Sequence, residues 1–288
     1  MTWHDRTITT VTTGDMLRRA LADVVQVDDS CLVHVSLSAF GFIPGGTQTV
    51  VDALKDVLRD GDIMMPAQTA DITDPACWGA PPVNPSLVSL VRDALPAYDP
   101  ATTPVTGIGL TPEYFRTLPG TLRSGHPTCS MSAWGRHAAW LTDCHRNGDY
   151  DMPFGEDSPL ARLYELDGTV VFLGTGFGTC TALHYAESTI GRPRIRETAP
   201  VHRSGSGPAA DAHDVAWVGY DNVELEPYDD FEAFGERFLR EHADVVHTVE
   251  LNGGVIRAFP MRTLVDEARA YWRRVDGERG AARGAEEN

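Results

Sequence analysis

The sequence predicts an α/β fold, a single domain layered α/β/α around a mixed sheet, and three observations carry that prediction. Residues 31–66 read as strand, helix, strand with short connections, the pattern of a parallel βαβ unit. Residues 170–187, VVFLGTGFGTCTALHYAE, read as a buried strand breaking into a glycine-rich turn and then a helix, which is where open α/β sheets place ligands. Amphipathic helical stripes flank both units. At 288 residues the chain is long enough to bury a substantial core. Residues 1–275 are assigned to the domain, and the Gly/Arg/Glu-rich stretch 276–288 to a disordered tail.

Taken in order, Thr12, Thr13 and Asp15 offer caps to a helix whose inward stripe is Met16, Leu17, Ala20, Leu21, Val24 and Val25. Cys31 to Ser36 follows as a buried strand, and Leu37 to Gly46 as its turn. Thr47 caps a second helix with Val50, Val51, Leu54, Val57 and Leu58 inward, and Gly61-Asp62 turns into the strand Ile63 to Pro66. From Gln68 to Val105 periodicity is lost and prolines accumulate, which marks a functional loop or lid containing a short helix over Leu87 to Leu95. Pro112 starts a helix that Pro119-Gly120 ends. The small-residue stretch Arg123 to Gly135 fits strand or loop, and helix Arg136 to Leu141 follows. Ser158-Pro159 introduces a helix through Leu160, Leu163 and Leu166, and Asp167-Gly168 turns into the strand at 170. Beyond Glu187 the chain reads as polar and extended, then alternates like a strand at Val215 to Val218. Residues 221–232 are rich in carboxylates, the usual mark of a solvated face. Phe231, Phe234, Phe238 and Leu239 form an amphipathic helix, Val245 to Leu251 and Val255 to Phe259 a hairpin about Asn252-Gly253-Gly254, and Met261 to Val275 the last helix.

The formal net charge of −17 disfavours nucleic acid or an anionic membrane as partner and favours a cationic small molecule, beside its plain role in solubility. Five cysteines without a CxxC pair suggest neither a disulfide framework nor a structural zinc site. No apolar run approaches the roughly 18 residues of a membrane span, and MTWHDRTITT is too polar for a signal peptide, so a cytoplasmic protein is expected. A homo-oligomer is compatible with this composition.

Four chemistries compete for the glycine turn and its helix. Gly174 and Gly176 match the start of GxGxxG, but Thr179 takes the third position and no strand ending in an acid stands about 20 residues on. A metal site from His34, His126, His184 and Glu187 lacks HExxH or paired ligand spacing. A serine hydrolase lacks GxSxG. Cys180 beside His184 at helical spacing is a thiol candidate, against the more frequent reading of a core cysteine. His184 and Glu187, three apart on a helix, share a face and aim an imidazole and a carboxylate into one cleft.

Three segments then read together. They are Val33-His34-Val35-Ser36-Leu37-Ser38-Ala39-Phe40-Gly41 with Gly45-Gly46, then Arg123-Ser124-Gly125-His126-Pro127 with Ser130, Ala133 and Gly135. The third is Ser158-Pro159, Leu163, Asp167-Gly168, Leu173-Gly174 and Thr181-Ala182-Leu183-His184-Tyr185-Ala186-Glu187. In order and spacing, from about residue 14 to 270, they resemble the aminoglycoside 3-N-acetyltransferase family, which is unrelated in fold to the GNAT acetyltransferases. The resemblance implies transfer of an acetyl group from acetyl-CoA directly to an amine in a ternary complex. It implies His184 as general base with a carboxylate from the later acidic segment, placed at Glu224, with Glu226 or Asp221 as fallbacks. It implies a CoA-binding side at Ser36, Leu37 and Ser38, at Ile43 to Gly45, and at Ser124 with His126. Phe177-Gly178 stands where many relatives carry aspartate or histidine, and Val35 where they carry serine, and these departures bear on the acceptor rather than the chemistry.

Physical chemistry supports the same assignment. Deprotonating an amine near pH 7 calls for histidine, and a carboxylate on its other ring nitrogen fixes the tautomer. The turns at Ser36 to Ser38 or Gly174 to Thr179 offer donors to a developing oxyanion, and the helix after Gly45-Gly46 offers N–H groups to phosphates. A polycationic acceptor needs carboxylates, for which Asp71, Glu156 and Glu187 are foremost, with Asp74 and Asp157 beside them. No metal is expected. The competing readings are the same transfer to an amine of secondary metabolism, a nucleotide-binding oxidoreductase using Gly174 to Thr179, and a non-catalytic binder of a cationic ligand.

Overall fold

A computed structural model describes residues 7–145, 148–203, 214–224 and 230–286, with side chains through 279. The elements are α1 (Gly14–Ala22), β1 (Ser30–Val35), α2 (Thr47–Val57), β2 (Asp62–Pro66), α3 (Val88–Ala94), α4 (Leu110–Arg116), β3 (Leu122–Arg123), β4 (Met131–Gly135) and α5 (Ala138–Thr142). They continue as α6 (Pro159–Glu165), β5 (Thr169–Leu173), α7 (Ala182–Ser188), β6 (Arg194–His202), β7 (Val215–Val223), α8 (Phe231–Glu241), β8 (His247–Leu251), β9 (Gly254–Pro260) and α9 (Met261–Glu286).

The main sheet has the order β3-β4-β2-β1-β5-β9-β8. Its centre, β2-β1-β5, is parallel, while β4 and β9 pair antiparallel on either side, so the sheet is mixed as expected. Both faces are covered. Val170 and Phe172 of β5 point into one core with α6, α7, α8 and α9, and Val171 and Leu173 into the other with α1 and α2. Period-two alternation of apolar side chains on both faces is what a sheet between two helical layers requires. Thr13 caps α1 by accepting from the Met16 N–H, and Ser158 caps α6 by accepting from the Ala161 N–H, as their sequence positions indicate. No helix among the described residues is long and apolar enough to cross a membrane.

Four stretches are either made definite by the structure or differ from the sequence reading. Arg123 to Gly135 is resolved as strand, turn and strand, with β4 paired along β2 and β3 added at its edge. The polar stretch after Glu187 forms β6, paired with β7 over its whole length in a separate ribbon. Its sequence hides a strand because Glu197 interrupts the period-two run of Ile195, Ala199 and Val201, and Pro200 has no N–H for a ladder. The residues between Gln68 and Val105 are pinned to that ribbon: the Asp74 N–H donates to Thr198 O at 3.2 Å and the Tyr98 N–H to Pro200 O at 2.9 Å. Arg123 ties the same stretch down, donating to Ala67 O at 2.6 Å and Thr69 Oγ1 at 2.7 Å. Finally α9 runs through the stretch expected as a tail to Glu286. Its Ala, Arg and Glu content favours helix, and Asp276 is held by Arg192 at 2.9 Å.

Candidate active site

The carboxyl ends of β1 and β5 lie side by side, with Val35 opposite Leu173. Both chains leave the sheet there in tight turns, and the space between them is a cavity of about 400 Å³. Gly174 allows the two turns to meet. It sits at φ +70°, and a Cβ there would come within 2.4 Å of the Ala39 Cβ and 2.9 Å of Ser36 O. The glycine turn then delivers α7, and His184 in its first turn lines the cavity.

The His184 ring is held on all sides but one. It stacks on Phe154 with centroids 5.1 Å apart, meets Phe231 at 5.1 Å, and keeps 21 % of its side-chain surface exposed. Nδ1 lies 3.0 Å from Glu187 Oε2. An ionised carboxylate only accepts, so Nδ1 donates and the lone pair falls on Nε2. Glu187 is 2 % exposed, and its other oxygen accepts from Arg192 Nη1 at 2.5 Å. Across the cavity His34 accepts from the Thr181 N–H at 3.4 Å through Nε2. Burial, with the neighbouring His184 adding to it, pushes the His34 pKa down to about 3, so this ring stays neutral.

The carboxylate hydrogen-bonded to His184 is Glu187, where the resemblance implied Glu224. Glu224 lies past the end of β7 with its N–H on Pro193 O at 2.9 Å. Asp221 pairs with Arg196 at 2.9 Å, and Glu226 lies outside the described residues. Both oxygens of Glu187 have partners inside the protein, His184 and Arg192.

The residues read as CoA-binding divide in two. Ser36, Leu37 and Ser38 form the turn that leaves β1 directly after His34 and Val35, which line the cavity, and the Ser36 and Ser38 hydroxyls are 3.3 Å apart. Gly45 at φ +81° and Gly46 at φ +55° lead into α2, whose N-terminus carries no side-chain cap. Ile43, Ser124 and His126 do not join them. Ile43 is a core residue packed with α1 and α2. Ser124 Oγ accepts from the Met131 N–H at 3.0 Å and is fully buried. His126 is fully buried too, its Nδ1 accepting from the N–H groups of Thr128 and Cys129 and its Nε2 donating to Tyr150 O at 3.1 Å. That ring is a structural link between backbone segments.

Of the carboxylates expected to meet a cationic acceptor, Asp71 is exposed and accepts from Thr106 Oγ1 at 2.8 Å. The Thr106 N–H donates to Gln68 O at 3.1 Å, and Gln68 and Gly107 line the cavity, which puts Asp71 beside its rim. Glu156 instead accepts from Tyr185 Oη at 2.9 Å in a separate depression with Arg269. Asp74 is committed to Arg92.

The glycine turn is not a phosphate cradle. Its Gly178 N–H donates to Glu232 Oε1 at 2.6 Å, so a carboxylate already sits where an anion would dock. Cys180 is 1 % exposed and burial pushes its thiol up to about 12, the behaviour of a core cysteine. Sequence reasoning passed over Phe154, Phe231, Glu232 and Arg192. The first three come from segments remote in sequence, and Arg192 was hidden among the basic residues of Arg192-Pro193-Arg194.

A mixed sheet between two helical layers, with a histidine–carboxylate pair opening on a cavity at the carboxyl ends of parallel strands, defines an α/β protein with a small-molecule-sized site where open α/β sheets place ligands. The model of the aminoglycoside 3-N-acetyltransferase family matches residues 32–273, and the chain belongs to that family of acyltransferases, whose acetyl donor is acetyl-CoA. It is 34 % identical over 244 residues to the SPbeta prophage-derived aminoglycoside N(3')-acetyltransferase-like protein YokD of Bacillus subtilis, covering 84 % of this chain and 85 % of that one. The crystal structure of YokD superposes with a TM-score of 0.84 over 93 % of this chain and 96 % of that one, at 31 % identity. Aminoglycoside N(3)-acetyltransferase VIII of Streptomyces fradiae is 38 % identical over 193 residues, 65 % of this chain and 64 % of that one. A binary complex of AAC-IIIb with CoASH aligns over 92 % of this chain and 97 % of that one with a TM-score of 0.77, at 25 % identity.

Proposed function

We propose that this enzyme transfers an acetyl group from acetyl-CoA to an amine of an aminoglycoside, the 3-amino group by analogy with its relatives, directly between the two bound substrates. The observation that carries the reading is His184 with Nδ1 on Glu187 and its ring on the cavity. Acetyl-CoA, when bound, supplies a thioester whose carbonyl carbon bonds to the amine nitrogen while the carbon–sulfur bond breaks and CoA leaves as its thiol. The residues of this chain do the rest. His184 Nε2 takes the proton that the amine gives up, and Glu187 stabilises the resulting imidazolium. The same imidazolium is the proton source for the departing sulfur.

The cavity fits that task. Its volume lies within the range of small-molecule sites, and Val33, Val35, Ile108 and Pro112 give apolar walls to a thioester arm. The uncapped N-terminus of α2, eleven residues long, presents N–H groups suited to the CoA phosphates. Asp71 at the rim, within a chain of net charge −17, attracts a polycation.

The test is mass spectrometry of aminoglycosides incubated with acetyl-CoA and enzyme, run for wild type and His184→Ala. Wild type is expected to add one acetyl group, and His184→Ala to lose turnover while binding CoA as before. Wild-type turnover in the variant sinks the base assignment. No product from any aminoglycoside, with product from another amine, moves the acceptor to that amine.

A further inference from the structure

The pair formed by His184 and Glu187 continues into the protein. Glu187 Oε1 meets Arg192 Nη1 at 2.5 Å, and the two side chains are 2 % and 1 % exposed. Arg192 Nε donates to Asp276 Oδ2 at 2.9 Å and Nη2 to Asp276 Oδ1 at 3.4 Å. Asp230 Oδ1 lies 4.0 Å from Nη2, and the guanidinium sits 4.6 Å from the Trp272 ring centroid. A largely buried, interlocked set of charges is expensive to build, and apolar side chains of the same volume would join α7 to α9 at lower cost. An ion pair serving only to fasten α9 would need Arg192 and Asp276. Glu187 adds the link that reaches the imidazole.

We propose that Arg192 is a positioning residue for acetyl transfer: held by Asp276, it orients Glu187 so that His184 keeps its proton on Nδ1, and the paired charges behind Glu187 act on the ring. The inference rests on the reading of His184 as the base. His34 on β1 and Glu187 on α7 face His184 directly; behind Glu187 stands Arg192, with Asp230 and Asp276 on it and Arg279 on Asp276, and Glu232 faces the glycine turn. Phe154 and Phe231 wall it with uncharged rings. In this array Arg192 disfavours the imidazolium and Asp276 offsets Arg192. Removing the guanidinium therefore makes the ring more basic, and removing the Asp276 charge makes it less so.

The experiment is an NMR titration of the 15N-labelled imidazole of His184 in the whole protein, with the pH profile of kcat/KM measured in parallel. The variants are Arg192→Met, Arg192→Lys and Asp276→Asn. Arg192→Met is expected to raise the His184 midpoint by about one pH unit, an effect on the scale of one nearby charge, and to mix the two neutral tautomers. Arg192→Lys returns most of the shift, Asp276→Asn moves the midpoint down, and the acid limb of kcat/KM follows the same order. Should Arg192→Met not fold, Asp276→Asn and Arg192→Lys still give opposite or graded shifts. Midpoints and tautomers equal to wild type in the folded variants overturn the proposal while leaving His184 as base. Wild-type turnover in His184→Ala refutes the base assignment whatever the titration shows.

Discussion

At the level of single residues, Glu187 and Glu224 differ in what they touch: Glu187 bonds His184 Nδ1 and Arg192, while the Glu224 N–H donates to Pro193 O beyond the end of β7. Substitution tells the two carboxylates apart. Glu187→Gln is expected to cut kcat by on the order of 10²-fold or more at pH 7, since an amide no longer stabilises the imidazolium. Glu224→Gln should stay within about 2-fold of wild type, as expected for a group outside the proton path. Steady-state kinetics on both, with circular dichroism to confirm folding, decides between them, and a reversed order of effects would return the role to Glu224.

At the scale of elements, the stripes of α1 and α2, the βαβ unit and the β8–β9 hairpin followed from periodicity and turn chemistry. The hairpin turns on Asn252 at φ 52° and Gly253 at φ 90°, the pair of left-handed residues its sequence advertises. β6 was illegible because an isolated ribbon needs no continuous apolar face, and the extra turns of α9 because an exposed charged helix and a charged coil share one composition. In the site, the three-residue spacing of His184 and Glu187 on one helix face is legible in the sequence, while the packing that commits Glu187 to Arg192 is not. The glycine turn before α7 presents that helix, and it is glycine-rich for close packing rather than for a phosphate. That distinction predicts different fates for two glycines that both sit at positive φ. Gly174→Ala forces a Cβ against Ala39 at 2.4 Å and should cost more than about 3 kcal/mol, conformational strain and overpacking together, with loss of turnover as α7 shifts. Gly46→Ala meets nothing within 4 Å and should cost only about 1 kcal/mol from its backbone angle. Denaturant unfolding of both variants measures the difference, and equal losses would show that the close approach to Ala39 carries no strain.

For the whole molecule, the same burial that makes His34 a neutral wall of the cavity recurs far from it. His126 is driven well below the usual histidine range by burial and the adjacent His145, and His145 itself is brought down to about 4 chiefly by burial. His34 stands at about 3 for the same leading reason. These three rings are neutral in the folded protein and free to protonate near pH 6.5 once it unfolds, so the unfolded state binds more protons as the solution is acidified. Stability contributed by their neutrality is complete above pH 6.5 and drains away as pH falls from there toward the folded-state values. Between pH 7 and pH 5.5 each ring should remove about 1 kcal/mol, a combined loss that is a large fraction of the 5–15 kcal/mol typical of a folded domain. Most carboxylates are still ionised in both states over that interval, so the histidines dominate the slope. The expected observation is an unfolding free energy that falls with a slope approaching three protons at pH 5.5 when measured by denaturant titration at a series of pH values. His145 offers the cleanest control, since its buried Nδ1 has no hydrogen-bond partner among the described residues. Replacing it with glutamine should lower that slope by about one proton, because one of the three differential titrations is gone. A slope that stays at or below one proton in wild type would mean that the buried rings protonate without unfolding, and the neutral state assigned to His34 beside the base would fall with it.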